Sequence, residues 1–276
     1  MNRISPIIHP VSQNIILVSL KSFVNNIYYV NNLGENGLSI MNNVEPNGMI
    51  KLILPLASDI IVIHNKTKLL VSKGCLAIAG VFDSTFRIEA SHVCNMQAFV
   101  VEFSHVLGYR LLKFSRTQIA NKFCLLRTIL DLPILELEKQ LAHASDTDDQ
   151  ISILQQFLVQ HLLETEADPI FEFCVQYINN HFSSVTIKTL EKLTGYSSRW
   201  INHKFKSNLG LSAKTFITIA RFQNEFQKMA NHFVLSIDSK GYLEHYYDQS
   251  HFIKDFKRFS GLTPYKFLKT ISPSQK

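Results

Sequence analysis

The sequence has few cysteines and no long apolar run, and these absences exclude several classes of protein. Its 276 residues include four cysteines, none of them in a CxxC pair. A secreted scaffold held by disulfides would have more cysteines in a shorter chain. No stretch approaches the ~20 consecutive apolar residues of a membrane-spanning helix, and the N-terminal residues lack the apolar core of a signal peptide. These features indicate a soluble cytoplasmic protein with no membrane partner.

Motifs that mark the common enzyme classes are also missing. The sequence contains no Walker loop and no GxGxxG, GxSxG or HExxH motif. Its eleven histidines are scattered, with no HxH pair in the N-terminal half. We therefore expect no catalytic residues, no cofactor and no metal site, although a metal site assembled from distant positions stays open.

Charge is distributed unevenly along the chain. Residues 1–169 contain 13 basic and 15 acidic residues, whereas residues 170–276 contain 15 basic and 7 acidic residues. The formal net charge of +6 is therefore the sum of a near-neutral N-terminal part and a C-terminal part of charge +8. A basic module favours a polyanionic partner, and nucleic acid is the commonest one. A solvated basic face without a partner is the alternative.

The periodicity of apolar residues divides the chain into strands followed by helices. Short apolar runs separated by Asn, Gly, Ser and Asp predict an antiparallel sandwich or barrel up to about residue 103. From about Leu107 the spacing is that of helices, and Glu164–Pro169 is the best candidate for a linker between two domains, 1–165 and 170–276. The predicted strands are Ile15–Leu20, Ile50–Leu56, Ile60–Ile63, Leu69–Val71, Leu76–Val81 and Ala98–Phe103. The predicted helices include one through Leu111, Leu112, Ile119, Phe123, Leu126 and Leu130, followed by Ile134–Ala144 and Ile151–Leu163.

The basic half contains a weak internal repeat at an offset of 51 residues. The matched pairs are Tyr196 with Tyr247, Ser197 with Asp248, Ile201 with Phe252, Phe205 with Phe256, Lys206 with Lys257, Gly210 with Gly261, and Phe216 with Phe267. One structural unit therefore occurs twice.

The local signals of the first copy predict a helix-turn-helix. Thr186 and Ser197 are good N-cap residues, and Gly195 and Gly210 suit the left-handed positions at which helices end. Ile187, Leu190 and Leu193 of the first helix, and Ile201, Phe205 and Leu209 of the second, would face inward. A long helix from Ser212 to about Ala230 would then join the two copies.

The outward side chains of each second helix are suited to base edges and phosphates. A solvated polar face is the alternative. In the first copy these residues are Arg199, Asn202, His203 and Lys206, with Trp200 beside them. In the second copy they are Gln249, Ser250, Lys254 and Lys257. The phenylalanines at helical spacing, such as Phe252, Phe256 and Phe259, are expected in the core.

The stretch Tyr247–Pro264, with the sequence YDQSHFIKDFKRFSGLTP, closely resembles the signature of AraC-type transcription regulators. Ser197–Phe216 resembles their first helix-turn-helix more loosely. The resemblance implies a C-terminal all-α domain in which two helix-turn-helix units, joined by a long helix, read adjacent major grooves of double-stranded DNA. It places base contacts on Arg199, Asn202, His203, Gln249, Ser250 and Lys254, and backbone contacts on Lys206 and Lys257.

The N-terminal half resembles, more weakly, the sensor domains of one AraC-type branch. The residues that carry this resemblance are Pro46 and Gly48 before Ile50–Leu56, and Phe103 before the run from Gly108 to Leu112. It implies an α+β chain in which a cupin-like β-barrel or sandwich, followed by helices, binds an effector or dimerises. Activation through RNA polymerase is a further implication. From the residues alone, Ile151, Leu154, Leu158 and Leu162 could pack on the barrel or form a dimer seam, and Val81, Phe82, Phe86, Phe99 and Val101 could fill the barrel or line a cavity.

The sequence departs from the family pattern just before the second recognition helix. Lys240 and Gly241 occupy positions that are normally apolar and Ala, and His245 stands at the turn glycine with Glu244 before it. In the linker helix, Glu225 replaces a small residue. Gly inside a helix costs about 1 kcal/mol relative to Ala. These changes support a second hypothesis, a regulator that acts mainly through protein contacts with a decayed second unit. A third hypothesis is a cupin-like metal enzyme fused to a DNA reader.

Overall fold

The computed structural model of the chain describes residues 7–10, 16–32, 42–90, 96–110, 119–130, 133–162, 167–232 and 249–271. Within these residues strands come first and helices follow, which confirms the predicted α+β architecture. The strands are β1 Ile7–Pro10, β2 Val24–Asn32, β3 Asn42–Val44, β4 Lys51–Pro55, β5 Ile60–His64, β6 Thr67–Val71, β7 Ala77–Ala79, β8 Phe86–Ala90, β9 Met96–Phe103 and β10 Phe123–Leu125. The helices are α1 Ile134–His143, α2 Thr147–Leu162, α3 Pro169–Asn180, α4 Ile187–Thr194, α5 Ser198–Leu209, α6 Ala213–His232, α7 Gln249–Ser260 and α8 Pro264–Ile271.

The strands form two antiparallel sheets that pack as a sandwich. One sheet has the order β1-β2-β9-β4-β7-β10 and the other has the order β3-β8-β5-β6. In β4, Ile53 packs with Val62 and Phe86 of the second sheet, whereas its neighbours Leu52 and Leu54 belong to the core that the helices share. Because successive side chains of a strand point to opposite faces, β4 is buried on both sides and reads as a continuous apolar run.

Three features of the sandwich differ from the sequence prediction. Residues 18–20 form a 3₁₀ turn and not the end of a strand, while the nine-residue strand β2 was not predicted. Phe123–Leu125, predicted as helix, is a strand because its backbone pairs with Ala77–Ala79. The 3₁₀ turn Leu126–Thr128 follows it directly, so no α-helix runs through residues 119–130. Leu111 and Leu112, which were part of the same predicted helix, lie outside the described residues.

Helices α1 and α2 pack on the sandwich. Ile151, Leu154 and Leu158 are buried in the shared core, so this stripe packs within the chain; the side chain of Leu162 lies outside the described part. Gln155 accepts a hydrogen bond from the backbone N–H of Leu17 at 2.7 Å. These contacts favour barrel packing over a dimer seam for the stripe.

Aromatic side chains hold the C-terminal helices together. Phe205 of α5 lies with its ring centroid 5.1 Å from that of Phe171 in α3 and 5.6 Å from that of Phe216 in α6. Further along α6, Phe222 contacts Phe256 and Phe259 of α7 at 5.6 and 5.0 Å. The long helix α6 therefore packs against α5 near its start and against α7 at its middle. None of the helices described is long and apolar enough to cross a bilayer.

Candidate nucleic-acid interface

The first copy of the repeat is a helix-turn-helix with the predicted caps. The hydroxyl of Thr186 accepts a hydrogen bond from the backbone N–H of Thr189 at 3.1 Å and so begins α4. Gly195 ends α4 at φ +74°, and Gly210 ends α5 at φ +76°. Ser197 caps α5 by accepting from the backbone N–H of Trp200 at 3.4 Å. Both glycines adopt the left-handed conformation that other residues rarely adopt, so the turn geometry follows from the sequence.

Helix α5 buries one face and presents the other to solvent. Ile201, Phe205 and Leu209 are buried as predicted. Leu193 of α4, predicted to face inward, is 48% exposed and was assigned to the wrong face. Arg199, His203 and Lys206 are all exposed on α5. The exposed face thus offers one guanidinium, one imidazole and one ammonium, all of which can donate hydrogen bonds to base edges or phosphates.

Asn202 differs from the other polar residues of this helix because the protein itself engages its amide. The side chain is half-buried, and its Nδ2 donates to the carbonyl of Ser198 at 2.9 Å. Its Oδ1 accepts from the backbone N–H of Ala213, the first residue of α6, at 3.1 Å. Asn202 therefore ties the candidate recognition helix to the start of the long helix. No sequence motif indicated this contact.

Trp200 packs on the protein surface beside the exposed face. Its ring stacks on Tyr196 with centroids 4.0 Å apart and an interplanar angle of 17°. The ammonium of Lys204 lies 5.0 Å from the centre of the Trp200 ring, a cation–π distance. The ring is half-buried. This arrangement stiffens the first turn of α5, where Arg199 projects.

The second copy repeats the same division of faces. In α7, Phe252, Phe256 and Phe259 are buried, and Gly261 follows at φ +75°. The predicted contact residues of this helix are all exposed: Gln249, Ser250, Lys254 and Lys257. The structure therefore places both predicted sets on solvent-facing helix surfaces, with Asn202 as the half-buried member. Lys240, Gly241, Glu244 and His245, where the sequence departs from the family pattern, lie outside the described residues.

Helix α7 also carries an acidic residue, Asp255, for which the sequence predicts no role. Asp255 is buried, with His251 Nε2 at 3.7 Å from its carboxylate. Burial raises the pKa of Asp255, and the positive charges of His251, Arg258, Lys254 and Arg221 oppose that shift. The carboxyl group of Asp255 thus lies among positively charged side chains.

A turn of the N-terminal sandwich contacts the long helix. The side chain of Gln223 in α6 donates to the carbonyl of Pro46 at 2.8 Å. Next to it, the ring of His105 packs edge-on against Phe216 with centroids 5.9 Å apart, and its Nε2 donates to the carbonyl of Asn47 at 2.6 Å. Because burial lowers the pKa of His105, the ring is neutral at neutral pH.

The ion pair between Lys51 and Glu102 is buried, and it holds the turn at Pro46 through the side chain of Asn47. Glu102 accepts from Lys51 at 2.7 Å and from the side chain of Asn47 at 2.8 Å. Burial alone would raise the pKa of Glu102, but Lys51 and the hydrogen bonds outweigh it and the pKa is lowered.

A second contact joins the sandwich to α7, where Arg258 pairs with Asp83 at 3.1 Å.

Aromatic side chains fill the space between the two sheets. Phe82, Phe86 and Phe123 lie with their ring centroids 4.7 to 4.8 Å apart. Among the residues described, a cavity of about 10 Å³, the space of about one water molecule, lies beside them. The cavity is lined by Glu45, Pro46, Asn47, Met49, Lys51, Ala79, Gly80, Phe82 and Phe86. Of the five residues predicted to fill the barrel or line a cavity, Phe82 and Phe86 belong to this cluster, which favours filling there. Val81, Phe99 and Val101 are buried in the core that the helices share. No group of three or more His, Cys, Asp or Glu side chains in the described ranges could hold a metal ion.

Comparisons with solved structures identify proteins of similar fold. An apo variant of ToxT from Vibrio cholerae matches with a TM-score of 0.53 and 10% identity over 88% of this chain and 98% of ToxT. Wild-type ToxT from the same organism, with a bound unsaturated fatty acid, matches with a TM-score of 0.52 and 10% identity over 90% and 96% of the two chains. No protein-family model matches the sequence, and the comparison with curated proteins gives no match. The two-part fold is thus shared with ToxT along nearly its whole length.

Proposed function

We propose that the chain is a transcription regulator of the AraC type that binds double-stranded DNA in a sequence-specific manner. Residues 170–276 would be the reader, with α5 and α7 in adjacent major grooves. Residues 1–165 would be a regulatory domain. The observation that carries the proposal is the repeated unit: twice, a helix buries phenylalanines on one face and presents exposed polar and basic side chains on the other.

The chemistry of the exposed faces supports duplex DNA over other polyanions. Arg199 and Gln249 can each form two hydrogen bonds with one base edge, which a plain basic patch cannot do. Lys206 and Lys257 lie near the C-terminal ends of α5 and α7, at matched positions of the repeat, and would neutralise phosphates. The fold shared with ToxT and the net charge of +8 over residues 170–276 agree with this assignment.

Regulation would act through the contacts between the sandwich and the C-terminal helices. A small-molecule effector, or a second copy of the chain, would change the equilibrium between arrangements of the two recognition helices only through different interactions with each arrangement. Since phenylalanines fill the described interior of the sandwich, we place the point of control at the Pro46 turn and at Asp83. Contact with RNA polymerase would follow DNA binding in an activator.

The decisive experiment compares Arg199→Ala with Lys192→Ala. The probe is a duplex that the wild-type protein selects from a pool of random sequences. Arg199→Ala should weaken binding to this duplex by about 1–3 kcal/mol and relax the sequence preference. Lys192 is exposed in the last turn of α4, so Lys192→Ala removes the same charge from outside the recognition helix and should keep the preference.

The outcomes separate the role of Arg199 from the function itself. A variant that keeps the wild-type preference would remove Arg199 from the set of base contacts. A wild-type protein that selects no duplex would contradict DNA reading. Comparing Lys254→Ala with His203→Ala in the same assay tests the alternative with a decayed second unit, because a loss confined to His203→Ala would favour it.

A further inference from the structure

A network of hydrogen bonds at the start of α3 joins the sandwich region to the first recognition helix. Asp168 caps α3, with Oδ1 accepting from the backbone N–H of Phe171 at 3.2 Å. Its Oδ2 accepts from Asn208 at 3.1 Å and from Lys204 at 2.9 Å, both on α5. Its own backbone N–H donates to the hydroxyl of Tyr109 at 2.6 Å. One residue therefore contacts three separate elements.

The hydroxyl of Tyr109 continues the network on the side of the sandwich. While it accepts from Asp168, it donates to Glu172, one turn further along α3, at 2.5 Å. Glu172 also accepts from the guanidinium of Arg110. The Tyr109 ring packs edge-on against Phe171 at 4.9 Å, so its position does not depend on the hydroxyl alone. Burial, followed by the hydrogen bond to Glu172, raises the pKa of Tyr109 to about 12, so the hydroxyl stays a proton donor.

The charged groups of this network are partly withdrawn from water. The side chain of Asp168 is 16% exposed, and that of Lys204 is 31% exposed. Burial alone would raise the pKa of Asp168, but the hydrogen bonds from Lys204, Phe171 and Asn208 outweigh it and the pKa is lowered. The carboxylate is thus ionised at neutral pH and holds both side chains of α5. A charge-assisted pair in such surroundings is stronger than one on an open surface.

We propose that Asp168 is a positioning residue for DNA reading and that Tyr109 couples it to the sandwich region. Lys204 and Asn208 lie on α5 together with the exposed Arg199 and His203. The contacts of Asp168 therefore set the angle at which α5 presents these side chains. This inference rests on the proposed function and extends it to the control of the first recognition helix.

Capping of α3 is the simpler role that Asp168 could have, and one substitution separates the two roles. Ser is as good an N-cap as Asp, so Asp168→Ser keeps the start of α3. A single hydroxyl, however, lacks the charge and the second oxygen that hold Lys204 and Asn208. If Asp168 only caps α3, Asp168→Ser binds the selected duplex as tightly as wild type. If Asp168 also positions α5, Asp168→Ser binds it less tightly.

The experiment uses the full chain and measures dissociation constants for the selected duplex and for a scrambled duplex of equal length. We expect Tyr109→Phe and Asp168→Ser each to weaken binding to the selected duplex by about three- to tenfold, with no loss of affinity for the scrambled duplex. Each substitution removes two hydrogen bonds of the network, and only the part of that loss that changes the position of α5 affects binding. The double variant should bind the selected duplex no more weakly than whichever single variant binds it less tightly, because both changes break one network. Tyr177→Phe, on α3 with its ring stacked on His181, is the matched control and should bind as wild type. Denaturant midpoints show that each variant is folded.

Each outcome addresses one statement. A wild-type protein without a preferred duplex contradicts the proposed function. A wild-type protein that selects a duplex, together with Tyr109→Phe and Asp168→Ser variants that bind it equally well, overturns the coupling and leaves the function standing. Additive losses in the double variant would also overturn it, since independent contacts would then be responsible.

Discussion

The substitution Gly48→Ala tests whether the sandwich packs against the long helix as the structure shows. Gly48 has φ +77°, and an added Cβ would lie 2.9 Å from Cε2 of Phe216 and 3.3 Å from Cδ2 of His105. Gly74 provides a matched control because it has the same φ of +77° and an added Cβ would meet no atom within 4 Å. The two variants therefore share the backbone cost and differ in the contacts of the added Cβ, of which the closest is with Phe216 of α6.

The two costs can be estimated separately. A non-glycine residue in the left-handed region costs about 1–2 kcal/mol, and this applies to both positions. Gly48→Ala adds an overpacking cost of about 1–3 kcal/mol, since Phe216 is 1% exposed and cannot turn away. Gly74→Ala should thus lower the free energy of unfolding by about 1–2 kcal/mol, and Gly48→Ala by about 2–5 kcal/mol.

Urea unfolding of the full chain, followed by circular dichroism, measures both free energies. Equal losses for the two variants, within about 0.5 kcal/mol, would mean that the Pro46 turn does not pack on Phe216. The same result would refute the placement of a control point at this turn. A larger loss for Gly48→Ala would support it.

Two further predictions concern a cap and a carboxyl group. Ser197→Ala should lower the free energy of unfolding by about 1 kcal/mol and Ser197→Gly by only a few tenths, because Gly tolerates the N-cap position; equal losses in thermal unfolding would contradict the cap. Burial raises the pKa of Glu45 from 4.5 to about 7, although a hydrogen bond from its own backbone and the charge of Lys51 both act to lower that pKa. The folded protein therefore binds a proton that the unfolded chain has released, so the stability that Glu45 contributes is present below pH 4.5 and is lost as the pH rises through about 7. Glu45→Gln should flatten the stability profile in this window, and an unchanged slope in a pH series of urea midpoints would exclude Glu45 as its source.

The helix-turn-helix could be predicted from the sequence because its signals are local. Thr186, Gly195, Ser197 and Gly210 each act on the one or two turns beside them, and all four lie at helix ends in the structure. The burial of Phe205 follows from its spacing alone. Strand pairing is not local, so the predicted secondary structure was wrong where pairing between distant residues determines it. Residues 123–125 are a strand only because Ala77–Ala79, more than 40 positions earlier, offers a free edge.

The residues proposed to contact DNA, or to position those that do, show the same division between local and non-local signals. Exposure of Arg199 and Lys254 follows from helical periodicity. The engagement of Asn202 by the N–H of Ala213 does not, because it depends on how α6 leaves the turn. Asp168 appeared in the sequence as part of an acidic linker. Its carboxylate contacts Asn208, 40 positions away, and only the packing of α5 on α3 brings them together.

The sandwich holds α5 and α7, the two proposed recognition helices, with unequal strength. At α5 the link runs through Asp168 and several partly buried hydrogen bonds. At α7 the described residues provide an ion pair between the side chains of Arg258 and Asp83, which are 45% and 33% exposed, and a 3.3 Å hydrogen bond from the backbone N–H of Thr85 to the carbonyl of Arg258. An exposed ion pair contributes about 0–1 kcal/mol, so its loss changes a two-state equilibrium by roughly fivefold or less.

Under the proposed function, helix α7 is therefore the recognition helix that a small perturbation of the sandwich would release first. A signal that changes residues 83–85 would free the second unit while the first stays in place. Because Phe256 and Phe259 pack α7 on Phe222 of α6, the freed unit would move together with that part of α6. The signal would then change how many major grooves the protein occupies at once. It would leave the contacts of α5 with DNA unchanged. This order follows from the difference in burial between the two links, since the pair of Asp168 and Lys204 is less exposed than the pair of Arg258 and Asp83.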